Sequence, residues 1–268
     1  MIDATARIAD GAVIGRDVVI GPNCVVGPNV VIGDHCQLLA HVHVAGHTSL
    51  GARTIIHPFA SVGSPPQSLK YRGGATRLIV GTDCVIREAV TLNTGTEDDR
   101  GVTEVGDRCL LMAGAHVAHD CKLGSNVILA NNVALGGHVT IEDFAVLGGQ
   151  SAVRQFVRIG EGAMAAGLSG VRADVIPFGL VQGPLADLIG LNIIGLRRRG
   201  SAKAAIHGLR RAYRELFFGT ATFRERLQAV ATQFDNHELV GKVVAFIRSG
   251  GSRPLTMAVR RTDASRGE

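Results

Sequence analysis

The sequence predicts an all-β solenoid of stacked parallel strands over residues 1–183, followed by a small C-terminal α-helical domain over residues 184–268. The first observation is a period of six, because every sixth residue over eleven positions is a branched aliphatic: Ile2, Ile8, Ile14, Ile20, Val26, Ile32, Leu38, Val44, Leu50, Ile56 and Val62. The second is composition, since 35 of the 268 residues are Gly, aromatic residues make up 4% and Trp is absent. A period of six fits short strands that each pair with the coil above, rather than a helix or an ordinary strand.

The six-residue frame resumes twice further along the chain. Val80, Ile86 and Leu92 form a short run, and a third run extends from Val105 to Val171 with Ala165 as its one exception. Gly follows many of these aliphatics, which we interpret as corners where the backbone turns at positive φ. All five cysteines are found four residues after an aliphatic residue of the frame: Cys24, Cys36, Cys84, Cys109 and Cys121. We therefore expect buried thiols in repeat positions, with neither a disulfide framework nor a metal-ligand spacing.

Two segments interrupt the frame, residues 63–79 and residues 94–104. We expect both to be loops that project from the solenoid. Loops on a rigid scaffold often carry function, although a tolerated surface insertion explains the spacing equally well.

After Pro177 the pattern becomes helical. An apolar 3.6-residue period from Leu185 to Leu196 predicts a helix that ends near Gly200, and Ser201 is in place to cap a second helix through about Phe218. Thr222 is in place to cap a third helix, residues near 236–249 predict a fourth, and the polar tail from 250 onward is expected to be loose. A helical segment here would cover the open end of the solenoid.

Charge and hydropathy exclude several classes of protein. A net charge of +5, with basic residues concentrated in the last third of the chain, suits phosphate binding without requiring nucleic acid. With few aromatic residues, stacking platforms for single-stranded nucleic acid are not expected. The N-terminus lacks a signal-peptide pattern, and the most apolar window, residues 177–196, contains polar residues and a proline. We therefore expect a cytoplasmic protein without membrane insertion.

A polar column interrupts the aliphatic repeat near His119. If one coil consists of three such repeats, His119, Gly137 and Gln155 stack, and His138 lies beside Gly137. An imidazole suits general-base catalysis, and a backbone N–H suits an oxyanion. A polar ladder without chemistry is the simpler alternative. A zinc site built from His116, His119 and His138 is a further alternative, but the spacing leads us to expect no metal.

The repeat resembles the hexapeptide-repeat proteins over residues 1 to about 176. That resemblance implies a left-handed parallel β-helix with three six-residue faces per coil. Left-handed crossovers of this kind depart from the usual right-handed rule.

A closer resemblance, to the UDP-N-acetylglucosamine O-acyltransferase family of lipid A biosynthesis, spans the chain in order. It is carried by residues 67–71 (QSLKY), 118–121 (AHDC), 129–132 (LANN), 136–139 (GGHV), 155–156 (QF) and 190–200 (GLNIIGLRRRG). The resemblance implies transfer of an (R)-3-hydroxyacyl chain from acyl carrier protein to the 3-hydroxyl of UDP-N-acetylglucosamine. It also implies a cytoplasmic homotrimer that needs no cofactor.

The resemblance further assigns roles to individual residues. His119 would be the general base, oriented by Asp120, and the Gly137 N–H would stabilise the oxyanion. The substrate-binding positions that match are Gln67, Ser68, Lys70, His116, His138, Gln155, Asn192, Arg198 and Arg199. Gly167, with Met164 nearby, matches the position that measures the acyl chain, and Gly there implies a longer chain than a bulky residue would permit.

Three positions depart from the enteric form of that family, where Ser68 replaces Asp, Arg154 replaces His and Ile194 replaces Glu. These departures leave the choice between N-acetylglucosamine and its 3-amino analogue open. Two further hypotheses are a zinc-dependent hydratase and a non-catalytic solenoid scaffold.

Overall fold

A computed structural model describes residues 1–259. Three parallel sheets run the length of a β-helix, and each coil contributes one short strand to every sheet. Strands are numbered β1–β27 and helices α1–α4 in chain order. Sheet I consists of β1 (Arg7–Ile8), β4 (Val25–Val26), β7 (His43–Val44), β10 (Ser61–Ser64), β13 (Thr91–Asn93), β16 (His116–Val117), β19 (Ala134–Leu135), β22 (Ala152–Val153) and β25 (Gly170–Val171).

The other two sheets follow in each coil. Sheet II consists of β2 (Val13–Ile14), β5 (Val31–Ile32), β8 (His47–Leu50), β11 (Arg77–Val80), β14 (Val102–Val105), β17 (Lys122–Leu123), β20 (Thr140–Ile141) and β23 (Arg158–Ile159). Sheet III consists of β3 (Val19–Ile20), β6 (Gln37–Leu38), β9 (Ile55–Ile56), β12 (Val85–Ile86), β15 (Leu110–Leu111), β18 (Ile128–Leu129), β21 (Val146–Leu147), β24 (Met164–Ala165), β26 (Gly179–Gln182) and β27 (Asp187–Leu191). The predicted solenoid is confirmed.

The aliphatic of each repeat points inward and fills the core. Ile20, Leu38, Ile86 and Leu129 are each at most 1% exposed, and every cysteine of the repeat is buried as a free thiol. Regular coils pair at a spacing of three repeats, as His116 does with Ala134. The spacing lengthens where Ser61 pairs with Thr91, and again where Thr91 pairs with His116. These two irregular coils contain the predicted loops. The loops are shorter than predicted, at residues 65–76 and 94–101, because the flanking strands extend into the predicted segments.

The corner glycines serve a different purpose from the one predicted. The left-handed conformation falls three residues after the aliphatic, on side-chain-bearing residues such as Asp17, Asn23 and His138; of the described glycines that directly follow an aliphatic of the frame, only Gly63 adopts it. A Cβ on Gly33 would instead lie 2.8 Å from the backbone N of Ala52 in the next coil. Glycine is needed here because the backbones of adjacent coils approach closely.

The C-terminal part differs from the prediction at its start. Residues 187–191 form β27, antiparallel to β26, where the apolar period predicts a helix, so the first helix is only α1 (Ile193–Arg198). An apolar run of this length reads as either element, and here pairing with β26 decides it. The next helix, α2 (Lys203–Phe218), follows Ala202 without the expected side-chain cap from Ser201.

The last two helices agree with the sequence. Thr222 caps α3 (Phe223–Gln233) in a capping box with Glu225, and α4 spans Glu238–Arg248. The segment after residue 250 was expected to be loose, but residues 254–259 dock on the last coil through backbone bonds at Asp174 and Leu188. Its remaining residues, 260–268, lie outside the described part of the chain. The proposed division at residues 183/184 stays a prediction.

Candidate active site

The polar column lies at the corner between sheets I and II. Each coil passes from one sheet to the other here, and both loops also leave the β-helix at this corner. His119 lies directly over Gly137 of the next coil, because a Cβ on Gly137 would be 2.5 Å from Cε1 and 2.7 Å from Nε2 of the imidazole. The stacking predicted from the length of one coil is therefore present.

His119 is paired with a buried carboxylate. Its Nδ1 lies 2.9 Å from Oδ2 of Asp120, whose side chain is fully buried. Asp120 also accepts hydrogen bonds from the backbone N–H of Thr96 at 3.0 Å and from its hydroxyl at 2.6 Å. A carboxylate at Nδ1 places the ring proton on that nitrogen, so the lone pair of Nε2 is free to accept a proton. This arrangement can act as a general base.

The backbone N–H of Gly137 is free of partners among the described residues. The same place in other turns is occupied by Pro22 and Pro58, which have no N–H. The fold therefore does not need this donor. An unpaired N–H beside an imidazole can stabilise a negatively charged oxygen.

His116 lies three residues before His119 in the same coil, on the outer face of sheet I. Its Nδ1 is 2.7 Å from the hydroxyl of Thr91 in the preceding coil. Burial lowers the pKa of His116, and the repulsion that two protonated rings would exert, between His116 and His119, lowers it further. The ring therefore favours its neutral form, in which it can donate and accept a hydrogen bond.

His138 takes the left-handed corner position after Gly137. Its ring stacks on Phe156 with centroids 4.3 Å apart and makes a T-shaped contact with the His119 ring, with centroids 4.9 Å apart. Its Nδ1 is 2.5 Å from Oδ2 of Asp99 on the loop of residues 94–101. Two histidine–carboxylate pairs thus lie side by side.

The two loops hold each other. The carboxylate of Glu97 accepts hydrogen bonds from the backbone N–H groups of Arg72 at 3.1 Å and Gly74 at 2.6 Å. Gln67 and Lys70, predicted to bind substrate, are exposed on the first loop, and the Ser68 hydroxyl accepts a bond from the N–H of Lys70 at 3.3 Å.

Of the remaining predicted site residues, Gln155 lies near His119 and the others lie elsewhere on the same chain. Gln155 is exposed at the corner of His119, and its carbonyl accepts a hydrogen bond from Arg253 at 2.8 Å. Gly167 is instead at the corner between sheets III and I, and Met164 is on the outer face of sheet III. Asn192 caps α1 and donates to the carbonyl of Gly162 at 3.0 Å.

The two predicted arginines also lie away from His119. Arg198 is exposed, while Arg199 forms an ion pair with Glu161 at 3.1 Å and lies over the rings of Phe144 and Phe178. Arg199 also lines a cleft of about 820 Å³ between the β-helix and the helices. Within one chain, therefore, the structure brings together the histidines, Asp120, Gly137 and Gln155, but not the acyl and arginine positions.

The same corner holds the one potential metal-binding group within residues 1–259. Ligand atoms of His119, Asp120 and His138 lie within 4.8 Å of one another. Asp120 and the Nδ1 atoms of both rings are already engaged in hydrogen bonds. The carboxylate and both Nδ1 atoms are thus satisfied by protein partners, and among the described residues only the Nε2 atoms of the two rings remain open. A thiol is also a poor candidate nucleophile here, since burial raises the pKa of Cys121 to about 12.

Comparison with known proteins assigns the chain to a family. A family model described as "Udp N-acetylglucosamine O-acyltransferase; Domain 2" matches residues 174–256, one for "Bacterial transferase hexapeptide (six repeats)" matches 103–137, and one for "GMPPB C-terminal domain" matches 1–96. The acyl-(acyl carrier protein)–UDP-N-acetylglucosamine O-acyltransferase of Azorhizobium caulinodans is 56% identical over 255 residues, covering 95% of this chain and 94% of the relative. The chain belongs to the UDP-N-acetylglucosamine O-acyltransferase family.

Solved structures agree with that assignment. The UDP-N-acetylglucosamine O-acyltransferase from Moraxella catarrhalis is 37% identical with a TM-score of 0.91, covering 95% of this chain and 99% of its own. The UDP-N-acetylglucosamine acyltransferase from Campylobacter jejuni is 36% identical with a TM-score of 0.90, covering 97% of this chain and 100% of its own. The fold is therefore the left-handed parallel β-helix with C-terminal helices that the resemblance implied.

This member of the UDP-N-acetylglucosamine O-acyltransferase family has site residues that the sequence pattern did not single out. Thr91, Thr96 and Asp99 contact His116, Asp120 and His138 respectively, and Phe156 stacks on His138. The position of Phe156, one regular coil after His138, was a usable signal. Thr96 and Asp99 lie on a loop outside the repeat, so spacing could not place them. Within residues 1–259 no helix is long and apolar enough to cross a membrane.

Proposed function

We propose that this chain transfers an (R)-3-hydroxyacyl group from acyl carrier protein to the 3-hydroxyl of UDP-N-acetylglucosamine, the first step of lipid A biosynthesis. The relative from Azorhizobium caulinodans carries the name of this acyltransferase and aligns over nearly the whole chain. The observation that carries the proposal is the His119–Asp120 pair positioned over the unpaired N–H of Gly137. Acyl transfer to an alcohol needs these two elements, a base and an oxyanion donor.

The geometry suggests the following sequence of proton transfers. Nε2 of His119 takes the proton of the 3-hydroxyl as the sugar oxygen forms a bond to the thioester carbon. The carbonyl oxygen becomes an oxyanion and accepts a hydrogen bond from the N–H of Gly137. The intermediate then collapses with cleavage of the C–S bond, and the proton on Nε2 passes to the departing thiolate. Asp120 stays ionised and stabilises the imidazolium in between.

A homotrimer is part of the proposal, and the outer face of sheet III supports it. Seven consecutive coils present an apolar residue there in register: Ile55, Val85, Leu110, Ile128, Val146, Met164 and Leu180. The outer face of sheet II has Glu104, Lys122, Thr140 and Arg158 instead over its last four coils. Because parallel sheets are usually covered on both faces, we assign the apolar face to contact with neighbouring copies.

Neighbouring copies would also complete the site. The base lies at the corner between sheets I and II, whereas Gly167 lies at another corner and the arginines lie at the end of α1. Contact between copies can bring different corners together. In the proposed assembly, Asn192, Arg198 and Arg199 serve the nucleotide, where arginine suits a diphosphate. Gln67, Ser68, Lys70, His116, His138 and Gln155 line the sugar or the acyl chain.

The acyl chain would end near Gly167. A side chain at this position would meet only the backbone of Gly149, with the carbonyl oxygen 3.1 Å from its Cβ. The lack of a side chain here leaves room for a long 3-hydroxyacyl chain, which Met164 and Gly167 would measure. We also propose that the reaction takes place in the cytoplasm and needs no cofactor, since every proton transfer has a protein group to serve it.

The test is a competition of substrates. Purified protein is incubated with a pool of (R)-3-hydroxyacyl thioesters of acyl carrier protein and with UDP-N-acetylglucosamine and its 3-amino analogue, in the presence of a metal chelator. Mass spectrometry of the products is expected to show an acylated UDP-sugar. His119→Ala should reduce the rate by about 10²–10⁴-fold, whereas His35→Ala, at an exposed corner, should not. Absence of any acylated UDP-sugar with the unaltered protein would refute the proposed function.

A further inference from the structure

A second histidine–carboxylate pair lies beside the first. His138 and Asp99 contact each other through Nδ1 and Oδ2, and the His138 ring is 4.9 Å from the His119 ring at an interplanar angle of 88°. The carboxylate of the first pair belongs to the residue after His119, but Asp99 comes from the loop of residues 94–101. The second pair thus depends on how that loop folds.

The His138 ring keeps little freedom of its own. Phe156 covers one face at an interplanar angle of 5°, His119 makes a T-shaped contact with the ring, and the side chain is 17% exposed. Packing does not determine whether the ring is flipped by 180° about its bond to Cβ, and it does not determine which ring nitrogen carries the proton. Asp99 decides both, because a carboxylate accepts a hydrogen bond only from a protonated nitrogen. Nε2 is then the ring nitrogen without a partner within the described chain.

The loop that delivers Asp99 is firmly anchored. Thr96 donates twice to Asp120, Glu97 accepts from two N–H groups of the other loop, and Arg100 pairs with Glu104. One loop therefore supports both histidines, through Thr96 for the His119 pair and through Asp99 for the His138 pair. A surface loop without a role at the site would need neither contact.

We propose that Asp99 is a positioning residue for acyl transfer. It holds His138 with Nε2 presented to the substrate beside the His119 base, and it acts only through His138. This inference rests on the proposed function, in which His138 lines the substrate site. It adds Asp99, and not the neighbouring carboxylates of the loop, to the active site, and so assigns a role to a side chain that lies outside the repeat.

The neighbouring carboxylate provides a matched control. Asp98 is on the same loop with its side chain 52% exposed, and it pairs with Arg72 at 3.3 Å rather than with a histidine. Asp98→Ala therefore removes the same chemical group from the same loop without touching His138. We expect it to leave kcat/KM unchanged.

The experiment is a double-mutant cycle of Asp99→Ala and His138→Ala. The effects of substituting two residues that interact directly do not add. Asp99→Ala alone should therefore lower kcat/KM by about tenfold, and it should cause no further loss in a protein that already has His138→Ala. Asp99→Asn retains an acceptor oxygen and should stay closer to the unaltered protein than Asp99→Ala. Additive losses, or an equal loss in Asp98→Ala, would overturn the inference.

A second readout does not depend on catalysis. ¹⁵N NMR of histidine-labelled protein at about pH 8.5, where histidine is ordinarily neutral, should show the His138 proton on Nδ1, and Asp99→Ala should lose that preference. A proton on Nε2 in the unaltered protein would overturn the inference even if acyl transfer is observed. Conversely, absence of acyl transfer by the unaltered protein refutes the proposed function, while the tautomer still reports on Asp99.

Discussion

Replacing Gly137 with alanine is expected to disable acyl transfer while leaving the β-helix folded. The added Cβ would lie 2.5 Å from Cε1 of His119. Because non-bonded carbon atoms rest about 3.5–4.0 Å apart, the imidazole must move by about 1 Å. Displacing a reacting group by that distance costs about 100-fold in rate, or about 2.7 kcal/mol in activation free energy.

The stability of the variant should change little. The φ angle of Gly137 is outside the left-handed region, so alanine is compatible with the backbone, and the nearest atoms its Cβ would meet belong to the His119 side chain rather than to the backbone. Gly149→Ala is the matched control, because Gly149 occupies the same turn position and its Cβ would lie 3.3 Å from the carbonyl oxygen of Asn131, with no histidine above it. We expect near-normal stability from that variant, which makes it a control for folding; because Gly149 lies next to Gly167, its activity is not used as a control.

Gly137→Pro separates the two roles of this residue, which are to leave space for the His119 ring and to offer an N–H to the oxyanion. Proline fits the same turn position at Pro22 and Pro58, and it adds the loss of the N–H to the displacement of His119. Removing one oxyanion donor costs about 10²–10³ in kcat, so the proline variant should be slower than the alanine variant by about that factor. Steady-state kcat and KM, with thermal melting to verify folding, measure both effects. Full activity of Gly137→Ala would refute the stacking argument, and equal rates for the two variants would refute the oxyanion role.

Three further predictions concern the support of the site. Thr96→Val removes a hydroxyl donor from the buried Asp120, so thermal or urea unfolding should show a loss of about 1–3 kcal/mol, and an unchanged stability would contradict it. In the folded protein the pKa of His116 lies below its ordinary value of 6.5, so the unfolded state binds more protons and the free energy of unfolding should fall as the pH drops below about 6.5. Urea titrations at several pH values should show a smaller fall for His116→Asn than for the unaltered protein. The same pH dependence in both proteins would contradict this prediction. Ile128→Arg on the apolar face of sheet III should turn trimers into smaller species by light scattering, whereas Thr140→Arg on sheet II should not, and a trimer in both would refute the assigned interface.

The repeat made the β-helix predictable residue by residue. Inward aliphatics such as Ile86 and Leu129 are defined by a period that only stacked coils satisfy, and the same period places His119 over Gly137. The reason for the corner glycines was wrong, because sequence shows where glycine occurs but not which coil approaches it. Gly33 allows close approach of backbones, while residues such as His138 take the left-handed turn.

The sequence did not predict contacts made by irregular loops, nor the choice between helix and strand where both fit the apolar pattern. Asp99 reaches His138 across two coils, and nothing in the spacing of an irregular loop encodes that distance. Residues 187–191 have an apolar period that suits a helix, but the free edge of β26 offers backbone partners, and they form a strand. Such outcomes are decided by tertiary pairing rather than by local propensity.

The docked segment of residues 254–259 closes an open backbone edge at the end of the β-helix. Asp174 of the last coil donates its backbone N–H to the carbonyl of Pro254 and accepts the N–H of Thr256, each at 2.8 Å. Without these partners, the N–H and carbonyl of Asp174 would be unpaired at the end of the β-helix, and an unpaired strand edge is a template for another strand. A chain shortened after Ser249 would therefore tend to stack end to end into filaments, so this short segment acts as a terminator of the solenoid.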